Sequence, residues 1–142
     1  MGRWDDIDQD LASFGTQRLS AGPAYMATVA ADGKPRVHPV TPFVAEGRLW
    51  VFMEPTSPKG RDVQERGGYA LHCSVADNSG GEGEFLVRGT GSLIDDAETR
   101  TRIATACPYE PADRYVLFEL SVDEAVSTVY GDDGKVNRRS WR

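Results

Sequence analysis

Apolar residues recur at Ile7, Leu11, Phe14 and Leu19 with acidic and polar positions between them, and this spacing predicts an amphipathic helix over residues 5–19. Past the breaker Ala21-Gly22-Pro23 the period changes. The run A-Y-M-A-T-V-A at 24–30 has strand composition and meets Asp32-Gly33, a dipeptide suited to a tight hairpin because both central positions take positive φ. The second arm, P-R-V-H-P-V-T-P-F-V at 35–44, carries three prolines. Each removes a ladder donor, so this arm is an edge strand, a bulged strand, or a strand whose free backbone groups face something other than a neighbour. Glu46-Gly47 then turns the chain into R-L-W-V-F-M at 48–53, a continuous β-branched and aromatic run.

A short helix is predicted at about 58–66, with Ser57 as its cap, Pro58 at the first helical position and Gly67-Gly68 as its stop. Strands follow at 69–76 and 85–94, separated by the glycine-rich loop 78–84. Residues 95–107 read as a helix capped by Asp95 or Asp96 and stopped by Pro108, and the tail gives strands at 115–120, 125–130 and beyond Asp132-Asp133-Gly134. Hairpin-length turns between six to eight short strands favour an antiparallel barrel, since parallel crossovers need a helix between most strand pairs.

The length, 142 residues, fits one domain spanning 1–142. Sixteen basic residues against 22 acidic ones give a net charge of −6, which disfavours nucleic acid and anionic membranes as partners. No apolar run approaches the ~20 residues of a membrane span, and the acidic start M-G-R-W-D-D-I-D-Q-D is the opposite of a signal peptide, so a cytoplasmic protein is expected. Cys73 and Cys107 are expected to be reduced core thiols.

No metal-ligand motif is present, and His38 and His72 are isolated in sequence. His72 and Cys73 are adjacent on a predicted strand and point to opposite faces, which rules out a dyad. The distinctive chemistry is local positive charge in an acidic chain: Lys34 and Arg36 open the second strand, while Lys59 and Arg61 lie in the first turn of the helix after Ser57. Free amides, a capping hydroxyl and a nearby cation suit a phosphate. The same cations are equally consistent with a solvated surface offset by Asp62 and Glu65. The prolines of 35–44 beside Trp50 and Phe52 likewise suit either a strand that lends its backbone to a planar heterocycle or a protected edge.

The segments A-Y-M-A-T-V-A-A-D-G-K-P-R-V-H-P-V, G-R-L-W-V-F-M, T-S-P-K-G-R-D-V-Q-E-R-G-G-Y-A-L-H-C-S-V and E-F-L-V-R-G-T-G, in that order, resemble the pyridoxamine 5′-phosphate oxidase-like superfamily over roughly residues 20–130. The resemblance implies a mainly β fold, a six-stranded antiparallel split β-barrel with flanking helices, and a homodimer with flavin mononucleotide (FMN) at the subunit interface. By position, Arg36 matches the arginine that reaches the flavin phosphate, and Val37, His38, Pro39, Val40 and Thr41 match the strand facing the isoalloxazine ring. Phe52 and Met53 match residues beside the cofactor, and Ser57 with Lys59 matches the serine and lysine of the S-R-K phosphate motif, with Pro58 where the oxidase has an arginine and Arg61 close by.

No catalytic acid or base is implied, because the cofactor carries the chemistry; His38 is a candidate proton relay or a packing histidine. The expected activity is flavin-dependent oxidoreduction of a small-molecule substrate. No counterpart of the C-terminal residues that recognise pyridoxal phosphate is evident, although Trp141 and Arg142 resemble the terminal W-R of related proteins. The same resemblance admits a deazaflavin coenzyme in place of FMN, haem held by His38 or His72, or an empty barrel serving as an interaction domain.

Overall fold

The computed structural model describes residues 2–142, so Met1 of the acidic N-terminal run lies outside it. The N-terminal helix starts later than its apolar spacing suggests. Asp8 accepts the Leu11 N–H at 3.2 Å and caps α1 (Gln9–Ser20), while Trp4–Asp6 forms a separate 3-10 turn that ends where Ile7 turns extended. An acidic side chain that can satisfy free amides set the boundary.

Nine strands follow, where the family resemblance implied six: β1 (Ala24–Val29), β2 (Pro35–Val40), β3 (Phe43–Ala45), β4 (Arg48–Met53), β5 (Gly68–His72), β6 (Glu84–Ile94), β7 (Val116–Leu120), β8 (Glu124–Tyr130) and β9 (Val136–Trp141). Thr41-Pro42 splits the proline-rich arm into β2 and β3, which accounts for one extra strand. Helix α2 (Pro58–Arg66) has the predicted bounds, with Ser57 as its cap. Helix α3 (Ala97–Ala104) is shorter than 95–107 because Asp96 caps it through the Glu98 and Thr99 amides and Thr105 closes it.

Strand β6 belongs to two half-sheets. Its residues 86–90 pair with β5 on one side, with 84–88 pairing with β8 on the other, whereas 91–94 pair with β7. The order β2-β1-β5-β6 thus runs into β7-β4-β3, with the β8–β9 hairpin attached to β6. The crossing lies at Gly89 and Gly91, where backbone and helix press close. A Cβ on Gly91 would stand 2.5 Å from Val63 of α2, and the Gly91 amide donates to Gly67 O at 2.9 Å.

One apolar core joins Trp4, Leu11, Met26, Val51, Leu71, Phe85 and Phe118 between α1 and the half-sheets. A second, with Phe43, Trp50, Phe52, Ile103 and Leu117, lies under α3. Phe43 and Phe52 stack there with centroids 6.1 Å apart. Such burial is the main force holding the half-sheets together.

Arg18 is buried on α1, donating through Nη2 to Ser74 O at 2.6 Å and through Nε to Gly83 O at 3.1 Å. It fastens both ends of the 74–83 loop. Arg18→Met keeps the stem but strands two carbonyls, so we expect a loss of about 2–3 kcal/mol in urea denaturation, with faster amide exchange confined to that loop. Loop exchange equal to wild type would show that the guanidinium is not its anchor.

Candidate functional site

β2 is an edge strand, pairing only with β1. The Ala30 amide donates to Lys34 O at 2.9 Å, which fixes the ladder phase: Arg36, His38 and Val40 direct their backbone groups to β1, while Pro35, Val37 and Pro39 direct theirs to the open edge. Both prolines therefore sit where a missing N–H removes no ladder bond. Val37 is left with the one outward amide on this strand. Its side chain is 64% exposed and lies on the outer face with Tyr25 and Val29, whereas Arg36, His38 and Val40 lie on the opposite face and are more covered.

α2 packs against β1, β5 and β6 and reaches β2 through the Arg36–Asp62 pair. The Ser57 hydroxyl accepts the Gly60 amide at 3.2 Å and donates to Glu54 O at 2.6 Å, closing the turn that leads from β4 into the helix. A Cβ on Gly60 would come within 2.5 Å of that same Glu54 carbonyl, so only glycine lets this turn close. Lys59 and Asp62, three positions apart, share one face of the helix, and Arg61 projects from an exposed one. Among the described residues, neither Lys59 nor Arg61 has a carboxylate within ion-pair distance.

Asp62 joins the helix to the strands. Its carboxylate is buried and accepts Thr28 Oγ1 at 2.7 Å, Arg36 Nε at 2.9 Å and Arg66 Nη2 at 2.8 Å. The Arg36 guanidinium foremost, with Thr28 and Arg66, holds this carboxyl down at about 2 against the burial that would raise it. The sign follows from linkage: a carboxyl held below its unfolded value of ~3.9 contributes stability that is fully present above that value and is lost as pH falls towards about 2. Urea midpoints measured between pH 5 and ~2 are therefore expected to fall less steeply in Asp62→Asn than in wild type. Parallel slopes would remove Asp62 as a source of the acid sensitivity.

In sequence Asp62 reads with Glu65 as surface counter-charge, and nothing local points to Thr28. The one legible signal at Asp62 is the four-residue step to Arg66 on a helix.

The remaining candidates divide between the two halves of the molecule. Phe52 and Met53 lie in the half-sheet that does not contain β2, and both side chains are buried in the cores, Phe52 under the Arg100 guanidinium 5.1 Å from its ring centroid. Thr41 and Pro39 reach a different feature, a cavity of about 560 Å³ that they line with Leu19, Phe43, Leu49 and Pro108. Among the described residues, no charged side chain lines it. His38 carries a buried Nε2 that has no hydrogen-bond partner among the described residues. His72 is engaged through both nitrogens, Nδ1 with Cys73 O at 2.6 Å and Nε2 with Glu84 at 3.4 Å. Cys73 is buried and Cys107 half-buried, and both are free thiols. No cluster of potential metal ligands occurs among the described residues, and no helix is long and apolar enough to cross a membrane.

Two half-sheets sharing one bent strand, with helices over their ends, match solved structures along nearly the whole chain. PhzG from Burkholderia lata 383, in complex with tetrahydrophenazine-1-carboxylic acid, is 15% identical, with 96% of this chain and 88% of that one covered at a TM-score of 0.67. A candidate pyridoxamine 5′-phosphate oxidase from Lactobacillus delbrueckii is 16% identical, with 88% and 98% covered at a TM-score of 0.64. The chain has the split-barrel fold that these structures share. Among split barrels it also resembles HutZ, the haem storage protein from Vibrio cholerae, at 12% identity, with 82% and 90% covered and a TM-score of 0.61. No protein-family profile and no curated protein matches the sequence. In this chain Arg36 of β2 and Asp62 of α2 join the two elements, with Lys59 in the first turn of α2 and Val37 at the open edge of β2.

Proposed function

We propose that this split barrel binds FMN as a cytoplasmic homodimer and transfers hydride or electrons to a small-molecule substrate. The supporting observation is that Arg36, through Asp62, is tied to the helix whose first turn carries the unpaired Lys59, next to a strand edge that still has an amide and carbonyls to offer. The residues fit a phosphate. Lys59 and the outward donors of Arg36 supply charge, and the start of α2 supplies the helix-end dipole. Ser57 serves as the helix cap and offers its hydroxyl only if it releases Glu54 O.

Along β2 the outward Val37 amide and the carbonyls flanking it suit the polar edge of an isoalloxazine ring. FMN supplies two-electron and one-electron chemistry at N5. The chain's own residues hold the phosphate, present the strand edge, and exclude water with the outer apolar face of Tyr25, Val29 and Val37, which a second copy covers in the proposed dimer. The uncharged cavity at Pro39 and Thr41 gives the substrate a place next to the ring.

A deazaflavin coenzyme with a long anionic tail would need more cations than Arg36, Lys59 and Arg61 provide. Haem is a second reading with an observation behind it, because the buried Nε2 of His38 has no partner and is the free imidazole of the pair. Titration of the purified protein with FMN, deazaflavin coenzyme and haem in parallel separates these. Saturable quenching of FMN fluorescence is expected. A Soret band that vanishes in His38→Ala, with no flavin binding, would replace the flavin reading by the haem one.

A further inference from the structure

We propose that Asp62 is a positioning residue for phosphate capture: it fixes Arg36 by one side of the guanidinium so that the other side is presented to the cofactor phosphate. This rests on the FMN reading above. The Asp62 side chain is only 2% exposed, and its two oxygens accept from Thr28 Oγ1, Arg36 Nε, Arg66 Nη2 and, at 3.4 Å, Arg36 Nη2. Its acceptor capacity is filled, so it holds other groups and binds no ligand itself.

The two arginines that share Asp62 are not equivalent. Arg66 commits all three of its nitrogens, Nε to Val29 O at 2.7 Å, Nη1 to Glu65 at 3.1 Å and Nη2 to Asp62. It is a structural tie between α2 and β1. Arg36 commits Nε and, weakly, Nη2, and among the described residues its Nη1 donates to nothing. With its side chain 40% exposed, it retains donors for an incoming anion. A free arginine samples many rotamers, and one held along Nε does not, so less ordering is lost when a phosphate binds. Glu65 and Asp62 together balance Arg66 and Arg36, so what the cluster offers an anion is the free donor side of Arg36 rather than net charge.

FMN and riboflavin share the ring and differ in the phosphate, so their affinity ratio isolates the phosphate end from any general loosening of the site. Both are titrated by fluorescence quenching into wild type, Asp62→Asn, Arg36→Ala, Arg36→Lys and the Arg36→Ala/Asp62→Asn pair. The preference for FMN is expected to fall about tenfold in Asp62→Asn, the scale of one charge-assisted hydrogen bond. It should fall similarly in Arg36→Ala and no further in the double variant, since the two act as a unit. Arg36→Lys keeps the charge but has no fork to hold, and it too should lose the preference even if Asp62→Asn does not fold. An unchanged or stronger preference in Asp62→Asn, multiplied losses in the double variant, or full retention in Arg36→Lys would each overturn the role of Asp62 while leaving FMN binding intact. A wild-type protein that binds neither flavin, or binds both equally, would overturn the phosphate site itself and this role with it.

Discussion

Gly89→Ala is expected to destabilise the protein by at least about 3 kcal/mol, measured by urea denaturation at neutral pH. At Gly89 the long strand β6 passes from one half-sheet to the other, and a Cβ there would lie 2.1 Å from Ser121 O, 2.9 Å from Ser121 C and 3.2 Å from the Asp123 amide. All three are backbone atoms. The neighbouring segment cannot retreat cheaply, because the Ser121 amide donates to Thr90 O at 2.9 Å and the Asp123 amide to Arg88 O at 2.8 Å, one on each side of the glycine. Relief would break those bonds and open the crossing on which β7 and α2 both depend. Gly68→Ala is the control, since nothing lies within 4 Å of its added Cβ and its backbone is not left-handed. If Gly89→Ala stays within about 1 kcal/mol of wild type, the half-sheets do not pack as closely as described.

Lys59→Ala is expected to weaken FMN binding by about 1.5–3 kcal/mol, which is roughly 10- to 150-fold, while leaving riboflavin affinity and thermal stability close to wild type. The separation between these readouts comes from the structure. Lys59 makes no ion pair among the described residues, so its removal breaks no tie within the fold, yet it stands on the face of α2 that carries Asp62 and through it Arg36. A positive charge at that point has nothing to do in the empty protein and a phosphate to meet in the loaded one. Equal FMN affinity in Lys59→Ala and wild type would remove this residue from the site and move the phosphate elsewhere.

Much of this arrangement is legible in the sequence because local chemistry dictates it. Asp32-Gly33 and Glu46-Gly47 mark two hairpins, although in the first only Gly33 takes positive φ whereas in the second both residues do, and Ser57-Pro58 with Gly67 fixes α2 at both ends, since caps and turns are satisfied by residues close in sequence. The edge status of β2 was among the readings its prolines allowed, and the ladder phase shows why they are tolerated there. Pairing over distance was less legible. Nothing local says that β6 serves two half-sheets, because that depends on Gly89 and Gly91 meeting Ser121 and Val63 from far along the chain.

The same holds at the site. Arg36 and Lys59 were readable as cations near a strand start and a helix start. Asp62 read as a surface charge, because what buries it is Thr28 and Arg36, 34 and 26 residues away. The start of α1 was misplaced for a different reason: the apolar spacing continues through Ile7, but Asp8 is the side chain that caps.

FMN is expected to bind with its phosphate at the start of α2 and its ring along the edge of β2. Amide chemical shifts of the isotope-labelled protein during an FMN titration test it most directly, because they report both saturation and place. Binding in that pose is expected to give saturable shifts concentrated among the amides of residues 36–38, 40–41 and 59–61, with those of Val37 and Gly60 among the ones that move. Shifts that do not saturate, or that gather elsewhere such as the β8–β9 hairpin, would contradict it.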